Sequence, residues 1–136
     1  MRNRLNVFAK FAMDLSIESK CSERGVAALI VDSNLSQVYS IGVNGGPKNL
    51  MDCMCVTEGK YGCVHAEVNA LVKNTYHGPD KIMITTLAPC KQCAAAIINT
   101  PGGFKAVHYI EDWKGSEGLR MLTAAGIKAS KLEVFL

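Results

Sequence analysis

The sequence predicts an α/β domain, a three-layer α-β-α sandwich built on a mixed central sheet of about five strands. Two observations lead to it: an early pair of short apolar strands joined by turn residues, then strand and helix segments in regular alternation. A third sets the size. With 136 residues, 49% of them hydrophobic, the chain can fill one packed core and has little left for a second, so residues 1–136 are read as a single domain.

Each element has its own warrant. Leu5, Phe8, Ala9, Ala12 and Leu15 recur at helical spacing with Asn6, Lys10 and Asp14 between them, which predicts a packing helix over about 5–17. Residues 26–31 form a short apolar run and 37–43 alternate, with the turn formers Asp32, Ser33 and Asn34 between, so the two read as a hairpin. From Asn44 to Gly62 periodicity gives way to Gly, Pro and Cys, and so long a loop inside a compact domain is usually functional. Beyond it the pattern predicts helix over 66–73, strand over 81–87, helix over 90–99, strand over 106–110, helix over 116–125 and strand over 132–135. Gly126 suits a helix C-cap, and Pro101-Gly102-Gly103 separates the Ala-rich helix from the next strand. A hairpin followed by such alternation gives a mixed sheet with helices on its faces.

Composition excludes several classes. Charged residues make up 20%, and no tract of low complexity appears, which argues against a disordered tail, a collagen-like chain or a coiled coil. The net charge of +3, from 15 basic and 12 acidic residues, is spread without a basic block, so no nucleic-acid polymer is expected as partner. A small anionic ligand needs only one or two placed cations and stays compatible. No apolar run approaches the ~18 residues of a membrane span. The opening six residues are soon followed by Lys10 and Asp14, unlike a secretory leader, and a cytoplasmic protein is expected.

Six cysteines, at positions 21, 53, 55, 63, 90 and 93, then read better as metal or catalytic groups than as disulfides. His65-Ala66-Glu67 and Pro89-Cys90-Lys91-Gln92-Cys93 supply one imidazole and two thiols, a three-ligand set for a tetrahedral zinc with a fourth position left for water. Cys90 and Cys93 share a face on the first turn of a helix, whose N-terminus favours the thiolate, and Pro89 suits a helix start. Glu67, two residues beyond His65, points elsewhere on a regular helix and is read as a proton carrier rather than a fourth ligand. Taken singly, a C-x-x-C pair is often redox or structural, a histidine is often core, and a glutamate is often solvated. H-x-E together with P-C-x-x-C is a known pairing of the zinc nucleobase deaminases.

On these motifs the chain resembles the cytidine deaminase-like superfamily, and within it the deoxycytidylate (dCMP) deaminases. Further segments carry the closer match: Ser19-Lys20-Cys21-Ser22, Gly42-Val43-Asn44-Gly45-Gly46-Pro47, His65 to Ala70, and Thr86-Leu87-Ala88-Pro89-Cys90 with Cys93-Ala94 and Ile97. Tyr109, Glu111 and Trp113, then Leu122 and Ala125-Gly126-Ile127, extend it, so that it spans roughly residues 19–127. Ala27, Val43 and Trp113 depart from the residues usual there, glycine, tyrosine and tyrosine.

The resemblance implies zinc-dependent hydrolysis of dCMP to dUMP and ammonia, supplying dUMP for thymidylate synthesis, with activated water adding at C4 and Glu67 moving the protons. It implies that Asn44 contacts substrate and that the backbone around Ala66 and Ala88 holds the base edge; a turn residue beside glycine is the plainer reading of Asn44. Arg24 is the first candidate for the phosphate, as a bidentate guanidinium, against a solvated surface arginine. Relatives often bind a second zinc through cysteines matching Cys21 and Cys53. Here Cys21, Cys53, Cys55 and Cys63 would make a closed structural site, against inert buried thiols. The resemblance also implies a homo-oligomer, hexameric in relatives, with dCTP and dTTP as effectors. Two alternatives stay open: another deaminase of the superfamily, acting on tRNA adenosine, guanine or cytosine, and a non-catalytic structural zinc module.

Overall fold

The computed structural model describes residues 2–21, 23–49 and 62–135. Its elements run α1 (Arg2–Ser16), β1 (Ala27–Val31), β2 (Val38–Val43), α2 (Ala66–Lys73), β3 (Lys81–Leu87), α3 (Lys91–Ile98), β4 (Phe104–Glu111), α4 (Glu117–Ala124) and β5 (Lys128–Lys131). Among the described residues the strands form one five-stranded sheet in the order β2-β1-β3-β4-β5. β1 lies antiparallel to both β2 and β3, whereas β3, β4 and β5 are parallel. The predicted mixed sheet with helices on both faces is the observed architecture.

The two faces follow from the period-two alternation of the central strands. Ala28, Ile30, Met83 and Val107 pack against Ala66 and Ala70 of α2, Ala94 and Ile97 of α3, and Leu122 of α4. Leu29, Val31, Ile82, Ile84 and Ala106 turn to the opposite face and meet Ala12 of α1, with Leu5, Phe8 and Leu15 of the same helix around it. Every residue of β1 and β3 is buried, which explains why β1 reads as a continuous apolar run.

Two glycines set how closely the site-bearing segments approach this frame. A Cβ on Gly42 of β2 would collide with the carbonyl oxygen of Ala66 and the amide nitrogen of Ala70, so only glycine lets α2 lie this close to the sheet. A Cβ on Gly118 of α4 would strike the carbonyl oxygen of Pro89, so the same economy of volume seats α4 against the turn that carries Cys90.

One element is corrected. The last strand occupies Lys128–Lys131 and not 132–135, pairing in parallel with β4 from Ala106↔Lys128 to Tyr109↔Lys131. Gly126, with φ +84, turns the chain out of α4, Ile127 enters the core, and the strand starts at once. An edge strand half-open to water tolerates Lys, Ser and Lys and so carries no apolar pattern. The apolar residues that attracted the prediction lie beyond it, and Phe135 is 57% exposed.

Candidate active site

β3 ends at Leu87, and the chain turns through Ala88 and Pro89 to Cys90, the N-cap of α3, while His65 is the N-cap of α2. Both caps have extended backbone, with ψ 150° at His65 and 172° at Cys90, and sit one residue outside their helices. Two helix N-termini therefore converge, and their dipoles favour negative charge on the groups between them. His65 Nδ1 lies 3.1 Å from Cys93 Sγ and 3.6 Å from Cys90 Sγ. Among the described residues these three form the metal-competent group, with all ligand atoms within 4.8 Å of one another.

The donor set fits zinc. Bonds of about 2.0 Å to nitrogen and 2.3 Å to sulfur in a tetrahedron place neighbouring ligand atoms about 3.5 Å apart, which matches the observed separations. Burial, with Glu67 and Cys90 beside it, pushes the Cys93 thiol up, so a thiolate here calls for a cation. Nδ1 is the imidazole nitrogen turned to both sulfurs, and three ligands leave a tetrahedral position for another molecule.

Glu67 is 5% exposed. Its carboxyl interacts with the Cys93 side chain, and burial pushes it above the ordinary carboxylate range. The offset argument from a regular helix does not apply to the pair His65 and Glu67, because His65 is the extended cap and only Glu67 is helical. Both nevertheless face one cavity of about 280 Å³, together with Arg24, Asn44, Ala88 and Cys90.

Asn44 is bound into the wall. Its Oδ1 accepts from the Ser19 hydroxyl at 2.6 Å and from the Val26 amide at 2.8 Å, and its Nδ2 donates to the Arg24 carbonyl at 2.7 Å. Asn69 of α2 donates to the Val43 carbonyl at 2.8 Å, tying the helix of Glu67 to the Asn44 segment. Arg24 pairs through Nη2 with Glu111 at the end of β4. The carbonyl of Glu111 accepts the Ala88 amide at 2.8 Å. Ala66 and Ala88 are buried and line the cavity.

Cys21 and Cys63 line that same cavity, while Cys53 and Cys55, the other two thiols of the expected second site, lie outside the described residues. Sequence reading missed the structural parts of Ser19, Asn69 and Glu111. Ser19 and Asn69 stood inside matched motifs without a role. Glu111 is 87 residues from Arg24, and no local pattern announces a pair at that distance.

Residues 2–111 match a family model described as the cytidine and deoxycytidylate deaminase zinc-binding region. A probable deoxycytidylate deaminase of Drosophila melanogaster is 32% identical, the match covering 76% of this chain and 59% of that protein, so the chain spans less than two thirds of this relative. The dCMP deaminase of the cyanophage S-TIM5, solved in complex with dCMP and dUMP, superposes with a TM-score of 0.81 and 27% identity, over 93% of this chain and 94% of that one. RibD of Acinetobacter baumannii shares the fold, with a TM-score of 0.73 at 20% identity over 96% of this chain and 35% of that one.

Proposed function

Because the chain belongs to the cytidine and deoxycytidylate deaminase family, we propose that it hydrolyses dCMP at C4, releasing ammonia and leaving dUMP. The observation that carries this reading is one cavity lined by two members of the zinc-competent triad, His65 and Cys90, together with the buried Glu67 and Arg24. A similar fold of comparable length that binds dCMP and dUMP supports the same substrate.

His65, Cys90 and Cys93 would hold the zinc. When bound, it supplies Lewis acidity that makes water nucleophilic near neutral pH. Glu67 then moves the protons. A carboxyl whose affinity for a proton is raised by burial can accept one from the attacking water, deliver it to N3 of the ring, and carry the next to the departing amine. Water and the cytosine amine are thereby exchanged for the uracil carbonyl and ammonia. The backbone at Ala66 and Ala88 borders the base, and Asn44, its Oδ1 occupied twice, has an Nδ2 hydrogen to offer the sugar. Arg24 receives the 5′-phosphate, since a guanidinium matches a phosphate with paired donors.

The test is an ultraviolet assay of the zinc-loaded protein on dCMP beside deoxycytidine, dCTP and cytosine. Selective turnover of dCMP is expected. Equal turnover of dCMP and deoxycytidine would remove the phosphate from the recognition scheme, and turnover of cytosine alone would replace the substrate.

A further inference from the structure

We propose that Glu111 is a positioning residue for monophosphate selectivity, holding the Arg24 guanidinium at the rim of the cavity; this rests on the reading of Arg24 as the phosphate contact. Arg24 is fixed at both ends. Its carbonyl accepts from Asn44 Nδ2 at 2.7 Å, which ties its backbone to one wall, and its side chain ends on the Glu111 carboxylate. Glu111 is tied in turn to the opposite wall, where its carbonyl accepts the Ala88 amide at 2.8 Å. The backbone of Glu111 thus touches the turn that bears Cys90, and its side chain touches the cation.

The placement separates holding from blocking. Arg24, Asn44 and Ala88 line the cavity, and Glu111 is not among the lining residues, so the carboxylate meets Arg24 from outside the space that a ligand would fill. It engages Nη2, whereas a guanidinium has five N–H donors in a planar fork. A carboxylate on one side of that fork sets the direction of the others. An arginine with 46% of its side chain exposed otherwise samples many rotamers, and a phosphate that binds it must order them all. Exposed pairs of this kind are individually weak, so the expected effect is on ligand affinity by a small factor and not on folding.

The experiment compares wild type, Glu111→Ala, Glu111→Gln, Arg24→Ala and the double variant Arg24→Ala with Glu111→Ala, all zinc-loaded, for kcat and KM with dCMP and with deoxycytidine, and for calorimetric affinity toward dUMP and deoxyuridine. Glu111→Ala is expected to raise KM for dCMP and weaken dUMP about two- to fivefold, with kcat and both nucleosides unchanged. Glu111→Gln, which keeps an acceptor, should recover part of the loss. The double variant with Arg24→Ala should be no worse than Arg24→Ala alone, because the two residues act through one contact. A Glu111→Ala protein that binds dCMP and dUMP as tightly as wild type or more tightly, or that loses nucleosides and nucleotides alike, overturns the positioning role. If Arg24→Ala itself leaves dUMP affinity unchanged, the phosphate assignment fails first, and that result is distinguishable because it appears without any change at Glu111.

Discussion

Glu67 reaches the same cavity as His65 and Cys90 although its side chain is almost wholly removed from water, and burial holds its proton more tightly. A group so placed is suited to carry protons and costs stability if it serves no purpose. Glu67→Gln should therefore lower kcat by about 10² to 10⁴ while leaving zinc content at one equivalent, as read by metal analysis of the purified variant. Turnover within a few-fold of wild type would contradict the role. A half-buried titratable group behaves differently. The Nδ1 of His108 in β4 has no hydrogen-bond partner among the described residues, and burial, with Lys128 nearby, holds its pKa below the usual histidine value. The unfolded chain then binds the proton more readily than the folded one. The neutral imidazole is tolerated in full above about pH 6.5, and stability falls as pH drops below that value until the depressed folded pKa is passed. The melting temperature of His108→Gln should fall less than that of wild type between pH 7.5 and 5.5, since the other titrating groups are common to both. Parallel curves would exclude His108 as a contributor.

At the level of elements, the site depends on how two short helices begin. The caps His65 and Cys90, and Cys93 one turn into α3, could be found in the sequence because each ligand lies within a few residues of a strand end or helix start. The edges could not. β5 is built from Lys128, Ala129, Ser130 and Lys131, whose strand character comes from backbone pairing with β4 and not from any side-chain period. The pair Arg24 and Glu111 joins a loop to a strand end far along the chain, and only the β1-β3-β4 order brings the two together. Gly42 gives the element-scale prediction. Gly42→Ala must push α2 away from β2, costing about 1 to 3 kcal/mol in chemical denaturation, and should lower zinc affinity because His65 caps the displaced helix. Unchanged stability and metal affinity would mean that α2 can shift without consequence.

For the whole molecule, the sheet divides the chain's work between its faces. α1 covers one face with Ala12 at its centre, and α2, α3 and α4 cover the other and bear the site at the ends of α2 and α3. Among the described residues no helix is long and apolar enough to cross a membrane. Zinc held by His65, Cys90 and Cys93 would join the start of α2 to that of α3, so a chelator should lower the melting temperature by several degrees, and added zinc should restore it. An unchanged melting curve after verified removal of the metal would place the ligands outside the stabilising contacts. The homo-oligomer implied by resemblance is checked by sedimentation velocity, where a monomer at every concentration would contradict it.

The most direct test of the account is the conversion of dCMP to dUMP and ammonia by the zinc-loaded protein, followed by absorbance and by ammonia release, with Glu67→Gln loaded to the same zinc content alongside. The account predicts one ammonia per dUMP from wild type, with turnover suppressed in the variant. Loss of dCMP at equal rates in both proteins, or none in either with zinc confirmed, would contradict it.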